Sequence, residues 1–295
     1  MRLRPFELVE PTSVPEALAA LAAFDGEARV VAGGTALLPM IRLGLLRPDR
    51  LVSLDRVPAL RGVRAGAETL AIGAMTPLAD LHRSADVRVG WRLLAEACGR
   101  VATPAIRSSA TLGGTLAYAE AASDPAPALL CLEAEVRVAG RDGERSVPAT
   151  GFFRGFYETA LETGEIVIDV RLPRPPAGGR GGYVKFVSRS AEDKPLIGAA
   201  ALLVMDAAGR RCVDLRIGLG GAAPTPMRAL RAEARVRGQP LTDSAIRAAA
   251  EAAAAEAEPL SDLMGTADYR REMIRVWVRR LLIALRDEAP VPRPL

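Results

Sequence analysis

Residues 173–182, Pro-Arg-Pro-Pro-Ala-Gly-Gly-Arg-Gly-Gly, divide this 295-residue chain more firmly than any other stretch. Proline fixes φ and removes a backbone donor, and glycine is costly to order, so the segment reads as a connector or exposed loop rather than a core element. The hydrophobic pattern changes across it. Upstream, short apolar runs alternate with helical ones. Downstream come three consecutive strands, Tyr183–Ser188, Ile197–Met205 and Cys212–Leu219, then helices at Met227–Arg235, Asp243–Glu256 and Ala267–Asp287. The expected class is α+β, with α/β units first and a three-stranded antiparallel sheet plus a helical bundle after. The chain is long enough for two or three compact units. We place them at 1–56, 57–175 and 176–288, with a loose tail at 289–295.

The first unit reads as β-α-β-α-β. Phe6–Val9 is extended, and Ser13-Val14-Pro15-Glu16 is a capping box before an apolar helix over Ala17–Phe24. Arg29–Ala32 is a strand, Thr35–Leu43 a helix or helical turn, and Leu51–Leu54 a strand. Gly33-Gly34-Thr35 then falls at a strand's C-terminal end, where ligands commonly bind in α/β architectures. In the second unit, Arg61–Ile72 and Glu135–Pro148 suggest hairpins, and Thr76-Pro77 a helix cap. Trp91–Val101 suggests a helix, Thr103–Ala110 a loop, and Glu165–Leu172 a strand.

A second glycine pair lies in that loop's wake: Thr111-Leu112-Gly113-Gly114-Thr115, with Asp124 nine residues on. Glycines allow close approach of a ligand, and consecutive free amides form a nest for phosphate oxygens. One Gly-Gly pair is ordinarily just a tight turn. Two strand-to-Gly-Gly-Thr units in one domain are placed to grip a diphosphate from two sides. Asp124-Pro125 has the form of a helix N-cap followed by Pro at the first helical position.

Several chemistries find no material in this composition. Cys98, Cys131 and Cys212 have no cluster spacing, whereas an iron–sulfur centre needs about four convergent thiolates. His82 is the sole histidine, which argues against a His-based metal site or triad. The net charge of +4 is mild, and four Tyr and six Phe are scattered thinly, unlike a nucleic-acid surface. No apolar run is long enough to span a bilayer, and the first residues lack a secretory core, so a cytoplasmic location is expected. On the last helix Tyr269, Met273, Trp277, Leu281 and Leu285 form an apolar stripe, and the arginines around it, Arg270 among them, are expected to face solvent.

Taken together, Ala32-Gly33-Gly34-Thr35, Thr111-Leu112-Gly113-Gly114 and Ala122-Ser123-Asp124 resemble the FAD-binding medium subunits of the molybdenum hydroxylases, the family of aerobic carbon monoxide dehydrogenase and xanthine dehydrogenase. The resemblance runs from Phe6 to about Asp287. It implies a PCMH-type FAD-binding domain of two α/β subdomains before the C-terminal domain. It also implies that Val31, Ala32, Gly33, Gly34, Thr35, Ala36 and Leu37 wrap the FAD diphosphate, joined by Thr111, Gly113, Gly114, Thr115 and Asp124. Ile166 and Val167 match a strand lining the cofactor pocket, and Lys185, ordinarily a solvated charge on a half-exposed strand, matches a cofactor-contacting lysine. No residue of the chain is expected to act as acid, base or nucleophile. Thr115, Ala121 and Lys194 depart from the pattern: many relatives have Asn, Pro and a flavin-covering aromatic there. A cation at Lys194 is expected to stabilise reduced, anionic flavin.

The activity so implied is electron transfer. FAD here takes electrons from two [2Fe-2S] clusters on a small iron–sulfur subunit, downstream of a molybdenum cofactor on a large subunit, and passes them to an external acceptor. The implied assembly is a dimer of heterotrimers. Two rival readings are a self-contained flavin oxidase of the vanillyl-alcohol oxidase type and a scaffold that has lost flavin. The small C-terminal domain and the shortage of His and polar aromatics weigh against the first. The departures at Thr115 and Lys194 motivate the second.

Overall fold

A computed structural model describes residues 4–24 and 26–294; the first three residues of the N-terminal unit, Asp25 and the last residue of the tail lie outside it. The N-terminal unit is β1 (Glu7–Val9), α1 (Val14–Ala22), β2 (Ala28–Val31), α2 (Leu37–Arg42) and β3 (Arg50–Ser53). Ser13 caps α1 by accepting from the Glu16 amide, while the Glu16 carboxylate reaches back one residue further than a capping box asks, to the Thr12 amide and hydroxyl. The three strands form a parallel sheet in the order β1-β3-β2. Leu51 and Val52 at its centre are buried.

The next unit contains β4 (Val63–Ala65), β5 (Thr69–Gly73), α3 (Leu78–Arg83), α4 (Ala85–Gly90), α5 (Arg92–Gly99), α6 (Pro104–Ser109), α7 (Leu112–Tyr118) and α8 (Pro125–Cys131). It continues through β6 (Glu135–Gly140), β7 (Gly143–Pro148), α9 (Ala149–Phe152), β8 (Phe153–Gly155), β9 (Glu158–Thr159) and β10 (Ile166–Pro173). Strand β10 runs through the middle of a five-stranded sheet, β4-β5-β10-β6-β7. Three local expectations fail here. Thr103–Ala110 is not a loop: the Thr103 hydroxyl accepts from the Ile106 amide and starts α6. Thr76 does not cap α3, because its hydroxyl is bonded to the Gly62 amide and carbonyl. The helix expected over Trp91–Val101 starts one residue later, at Arg92, and ends at Gly99.

Beyond the connector lie β11 (Arg180–Phe186), β12 (Ile197–Met205), β13 (Cys212–Gly220), the two-residue β14 (Met227–Arg228), and helices α10 (Leu230–Val236), α11 (Asp243–Glu256) and α12 (Ala267–Arg286). The antiparallel sheet is ordered β11-β12-β13-β14, so the expected three strands gain a short fourth where a helix had been read. This sheet is a wall shared by two cores. Tyr183, Ala200 and Leu202 belong to the core of the second unit, whereas Val184, Ala199, Ala201, Leu203 and Ile217 pack with α11 and α12. Alternate residues on a strand face opposite ways, which explains why β12 is apolar along nearly its whole length.

The shared wall also corrects the reading of the connector. Gly181 and Gly182 are not loop: they open β11, where a Cβ would lie 3.0 Å from Leu93 Cβ and 2.7 Å from Val291 Cγ2 respectively. Their lack of side chains lets α5 and the C-terminal tail close on the strand.

Candidate cofactor site at the domain seam

The two glycine pairs meet. A Cβ on Gly33 would fall 1.9 Å from the Ser109 carbonyl oxygen, and one on Gly114 would fall 3.1 Å from Ala32 Cβ. The first pair follows β2, and Gly34 adopts φ +70°, the left-handed region that glycine enters without strain. Among the described residues, none of the amides of Gly33, Gly34, Thr35 and Ala36 has an acceptor; pairing resumes where Leu38 donates to the Gly34 carbonyl. Ala36, at the start of α2, offers no side-chain cap. Among the described residues, at least four successive donors are therefore left without a protein partner.

The second pair is different. It is not preceded by a strand and is not a turn: Gly113 and Gly114 form the first turn of α7. Thr111 caps that helix, its hydroxyl accepting from the Gly114 amide at 3.2 Å. Leu112 donates to Thr76 O, Gly113 to Ala74 O at 2.8 Å, and Thr115 to Thr111 O. The expected nest of free amides is absent here, because each amide already has a protein acceptor. Thr115 spends its hydroxyl on Thr111 O as well.

Asp124 and Lys185 come together across the seam between the second unit and the C-terminal sheet. Asp124 stands at the N-cap position of α8, but its side chain does not cap the helix. One carboxylate oxygen accepts from the Tyr183 hydroxyl at 2.8 Å, the other from Lys185 Nζ at 3.3 Å. Lys185 Nζ also donates to the Arg100 carbonyl at 2.8 Å. Lys185 is only 8% exposed, so the reading of a solvated charge is wrong: it lies two residues from Tyr183, on the strand face that the second unit covers. Burial pushes the Asp124 carboxyl up to about 6, against the opposing pull of Lys185, Tyr183 and Arg100. Burial, then the Asp124 charge, hold the Tyr183 phenol well above its ordinary value, so it is a donor. The same two causes push the Cys98 thiol up, in keeping with an inert buried cysteine.

A cavity of about 580 Å³ opens at the same seam, lined among others by Glu120, Tyr157, Asp193, Lys194, Asp262 and Arg270. Lys194 is ion-paired to Glu120, which also accepts from the Tyr157 hydroxyl at 2.8 Å. Burial pushes Glu120 up, but the Lys194 hydrogen bond and charge, with Tyr157, hold it net below the usual carboxylate range. Lys194 is thus a compensated cation rather than a free one. Arg270, expected in solvent, is buried: Nη2 binds both Asp262 oxygens and Nη1 donates to the Leu196 carbonyl. Ile166 and Val167 lie in β10, paired with Ala139 and Val138; both are buried, Ile166 in the core under β3 and Val167 in that of the second unit. Sequence reasoning missed Tyr183, Glu120 and Tyr157. Period-two spacing from Lys185 could have found Tyr183. Nothing local marks the other two. Among the described residues no group of His, Cys, Asp or Glu is arranged to hold a metal, and no helix is long and apolar enough to cross a membrane.

Comparison with known proteins decides what this seam belongs to. The FAD binding domain in molybdopterin dehydrogenase matches residues 4–175, and the CO dehydrogenase flavoprotein C-terminal domain matches residues 182–285. The chain is a molybdenum-hydroxylase FAD subunit. It is 39% identical to the carbon monoxide dehydrogenase medium chain of Hydrogenophaga pseudoflava, over 95% of this chain and 96% of that one. Its structure superposes on that enzyme's solved structure with a TM-score of 0.94, covering 98% and 100% of the two chains. It is also 34% identical to the 6-hydroxypseudooxynicotine dehydrogenase complex subunit alpha of Paenarthrobacter nicotinovorans, over 96% and 95%. As a FAD subunit, it is an oxidoreductase component of the molybdenum hydroxylases. The residues present suit a dinucleotide: among the described residues the amides of Gly33 to Ala36 have no protein acceptor and lie beside a left-handed glycine, a donor arrangement that matches diphosphate oxygens.

Proposed function

We propose that the chain binds FAD in extended form and carries electrons between a partner's [2Fe-2S] clusters and an external acceptor. The observation that carries this reading is the row of free amides at Gly33–Ala36, packed against the second glycine segment. Those amides would take the diphosphate, with Val31, Ala32 and Leu37 flanking it. Gly113 and Gly114 would hold the wall behind it, and Thr111 and Thr115 would fix that wall. Asp124 and Lys185 would meet the cofactor at the seam, where Ile166 and Val167 close the apolar side. FAD supplies the redox chemistry, accepting electrons pairwise or singly, and the protein supplies position, exclusion of water and local charge.

The reading extends to assembly. The partners would be a large molybdenum-cofactor subunit and a small iron–sulfur subunit, in a cytoplasmic dimer of heterotrimers, with the organic or gaseous substrate oxidised on the large one. Alignment with medium chains over nearly the full length of both proteins favours this over a self-contained flavin oxidase. The test is an absorption spectrum of the full-length chain before and after incubation with FAD, followed by acid release and identification of the flavin. A stoichiometric yellow complex is expected, weakened in Gly34→Val. A folded chain that takes up no flavin, alone or with its co-purified partners, would overturn the reading.

A further inference from the structure

The segment from Ala119 to Asp124 is fastened to the C-terminal domain at three places within six residues. Glu120 pairs with Lys194, the Ala121 carbonyl accepts from the Gly221 amide at 2.8 Å, and Asp124 is held by Tyr183 and Lys185. Ala119, at its start, sits at φ +51°, a conformation a non-glycine residue keeps only where its surroundings enforce it. Of the three fastenings the last is the enclosed one made by charged side chains, with Asp124, Tyr183 and Lys185 each under 10% exposed. Within it the roles are unequal. Asp124 is the acceptor, Lys185 spends two of its three N–H groups on Asp124 and Arg100, and Tyr183 spends its one proton on the carboxylate.

A buried carboxyl accepts that donation most strongly while it is ionised, because hydrogen bonds to a charged acceptor are the stronger ones. Once protonated, it no longer anchors the ammonium, and a phenol and a neutral acid beside Lys185 leave a buried cation without its counter-charge. The groups facing Asp124 are Tyr183 and Lys185 from β11, and Cys98 and Arg100 from the end of α5. Cys98 stays a neutral thiol, so the charge state of the cluster turns on Asp124 itself.

We propose that Tyr183 is a positioning residue for the cofactor: its hydroxyl keeps Asp124 ionised and turned towards Lys185, so that the two meet bound FAD as one fixed pair. Cofactor affinity then falls when Asp124 takes up a proton. The proposal rests on the FAD reading above. Because burial sets the Asp124 carboxyl near 6, the fall comes as the pH is lowered through that value. Removing the Tyr183 hydroxyl withdraws a bond that favours the ionised form, so the midpoint moves to higher pH.

The experiment is a titration of the full-length chain with FAD, followed by flavin fluorescence, at intervals from pH 5 to pH 8.5. It is run for wild type, Tyr183→Phe and Asp124→Asn. Wild type is expected to bind tightest above pH 7 and to weaken with a midpoint near 6. Tyr183→Phe should match wild type at pH 8.5 to within a few fold and shift its midpoint upward by about one pH unit, one hydrogen bond to a charged group. Asp124→Asn should bind weakly with no midpoint in this range. Superimposable profiles for wild type and Tyr183→Phe would refute the proposal. So would a midpoint that persists in Asp124→Asn.

Melting of the apo chain gives a readout that needs no FAD. Asp124 is more easily protonated folded than unfolded, so wild type should gain stability relative to Asp124→Asn as pH falls from 7 towards 4, and lose that gain as pH rises through 6. A difference that does not vary with pH would also refute the proposal. Failure of wild type to take up FAD at any pH would instead refute the cofactor reading, whatever the melting shows, and the positioning role with it.

Discussion

The glycine pairs at 33–34 and 113–114 look alike in sequence and do opposite work in the fold. At the first, the backbone turns away from β2 with its amides free, and the glycines create that exposure: Gly34 supplies the left-handed φ, and Gly33 lets the turn press against Ser109. At the second, the amides are all consumed within the protein, and the glycines create closeness. Gly113 lies against Ala74 and donates to it, and Gly114 leaves room for Ala32. One pair presents donors; the other is the prop that holds them in place. A glycine pair therefore says only that backbone must approach something, and the hydrogen-bond account of its amides says whether that something is ligand or protein.

Gly33→Val attacks the point where the two segments touch, and should have the largest effect. Its Cβ would overlap a backbone carbonyl that belongs to the end of α6, with no flexible side chain to yield. We expect a loss of about 3 kcal/mol or more in stability, at the upper end of overpacking costs, and no FAD uptake. Unchanged melting would show that the segments do not touch as described.

Gly34→Ala and Gly113→Ala sharpen the contrast by separating affinity from stability. A Cβ at Gly34 would meet side chains alone, Leu38 Cδ1 at 2.8 Å and Cγ at 3.2 Å, which can shift, so the cost is chiefly that of a left-handed alanine, about 1 kcal/mol. Any relaxation of φ there turns the free amides, so FAD affinity should fall about tenfold or more, the worth of one charge-assisted hydrogen bond. At Gly113 a Cβ would lie 2.5 Å from Ala74 Cβ and 2.9 Å from its carbonyl oxygen. That should cost about 2 kcal/mol in melting and lower the affinity of the folded protein less than Gly34→Ala does. The reverse pattern would exchange the two roles. Thr111→Ala is milder: losing the cap on Gly114 should cost about 1 kcal/mol, again seen in thermal melting rather than in FAD titration.

What sequence made legible here is local order, and what it concealed is mutual burial. The β-α-β-α-β start, the cap at Ser13, and the α11 limits at Asp243–Glu256 all follow from patterns within a few residues of one another. Lys185 and Arg270 were misread because each lies on an element that looks amphipathic alone. A strand's second face shows as buried only once the opposing domain is known, and β11 is covered on both. Thr103–Ala110 was misread because a six-residue helix carries too few turns to show a period, although its Thr103-Pro104 start is a regular N-terminal signal. The glycine motifs were visible, but which of them keeps free amides depends on Ala74 and Thr76, far away in the chain.

The smallest effect tests whether the seam cavity is where the flavin ring lies. Lys194 is 62% exposed in its side chain and Glu120 only 15%, so breaking their pair by Lys194→Met should cost no more than about 1 kcal/mol. The reduction potential of bound flavin is the better probe, because it reads charge. Glu120 should offset most of the pull that Lys194 exerts on anionic reduced flavin. Glu120→Gln should therefore raise the potential by freeing the cation, and Lys194→Met should lower it by exposing the flavin to an uncompensated carboxylate. The double variant should return to the wild-type value, since it again leaves the position neutral. Equal potentials in all four proteins would mean that the pair is remote from the ring, and that the seam cavity serves something other than the flavin.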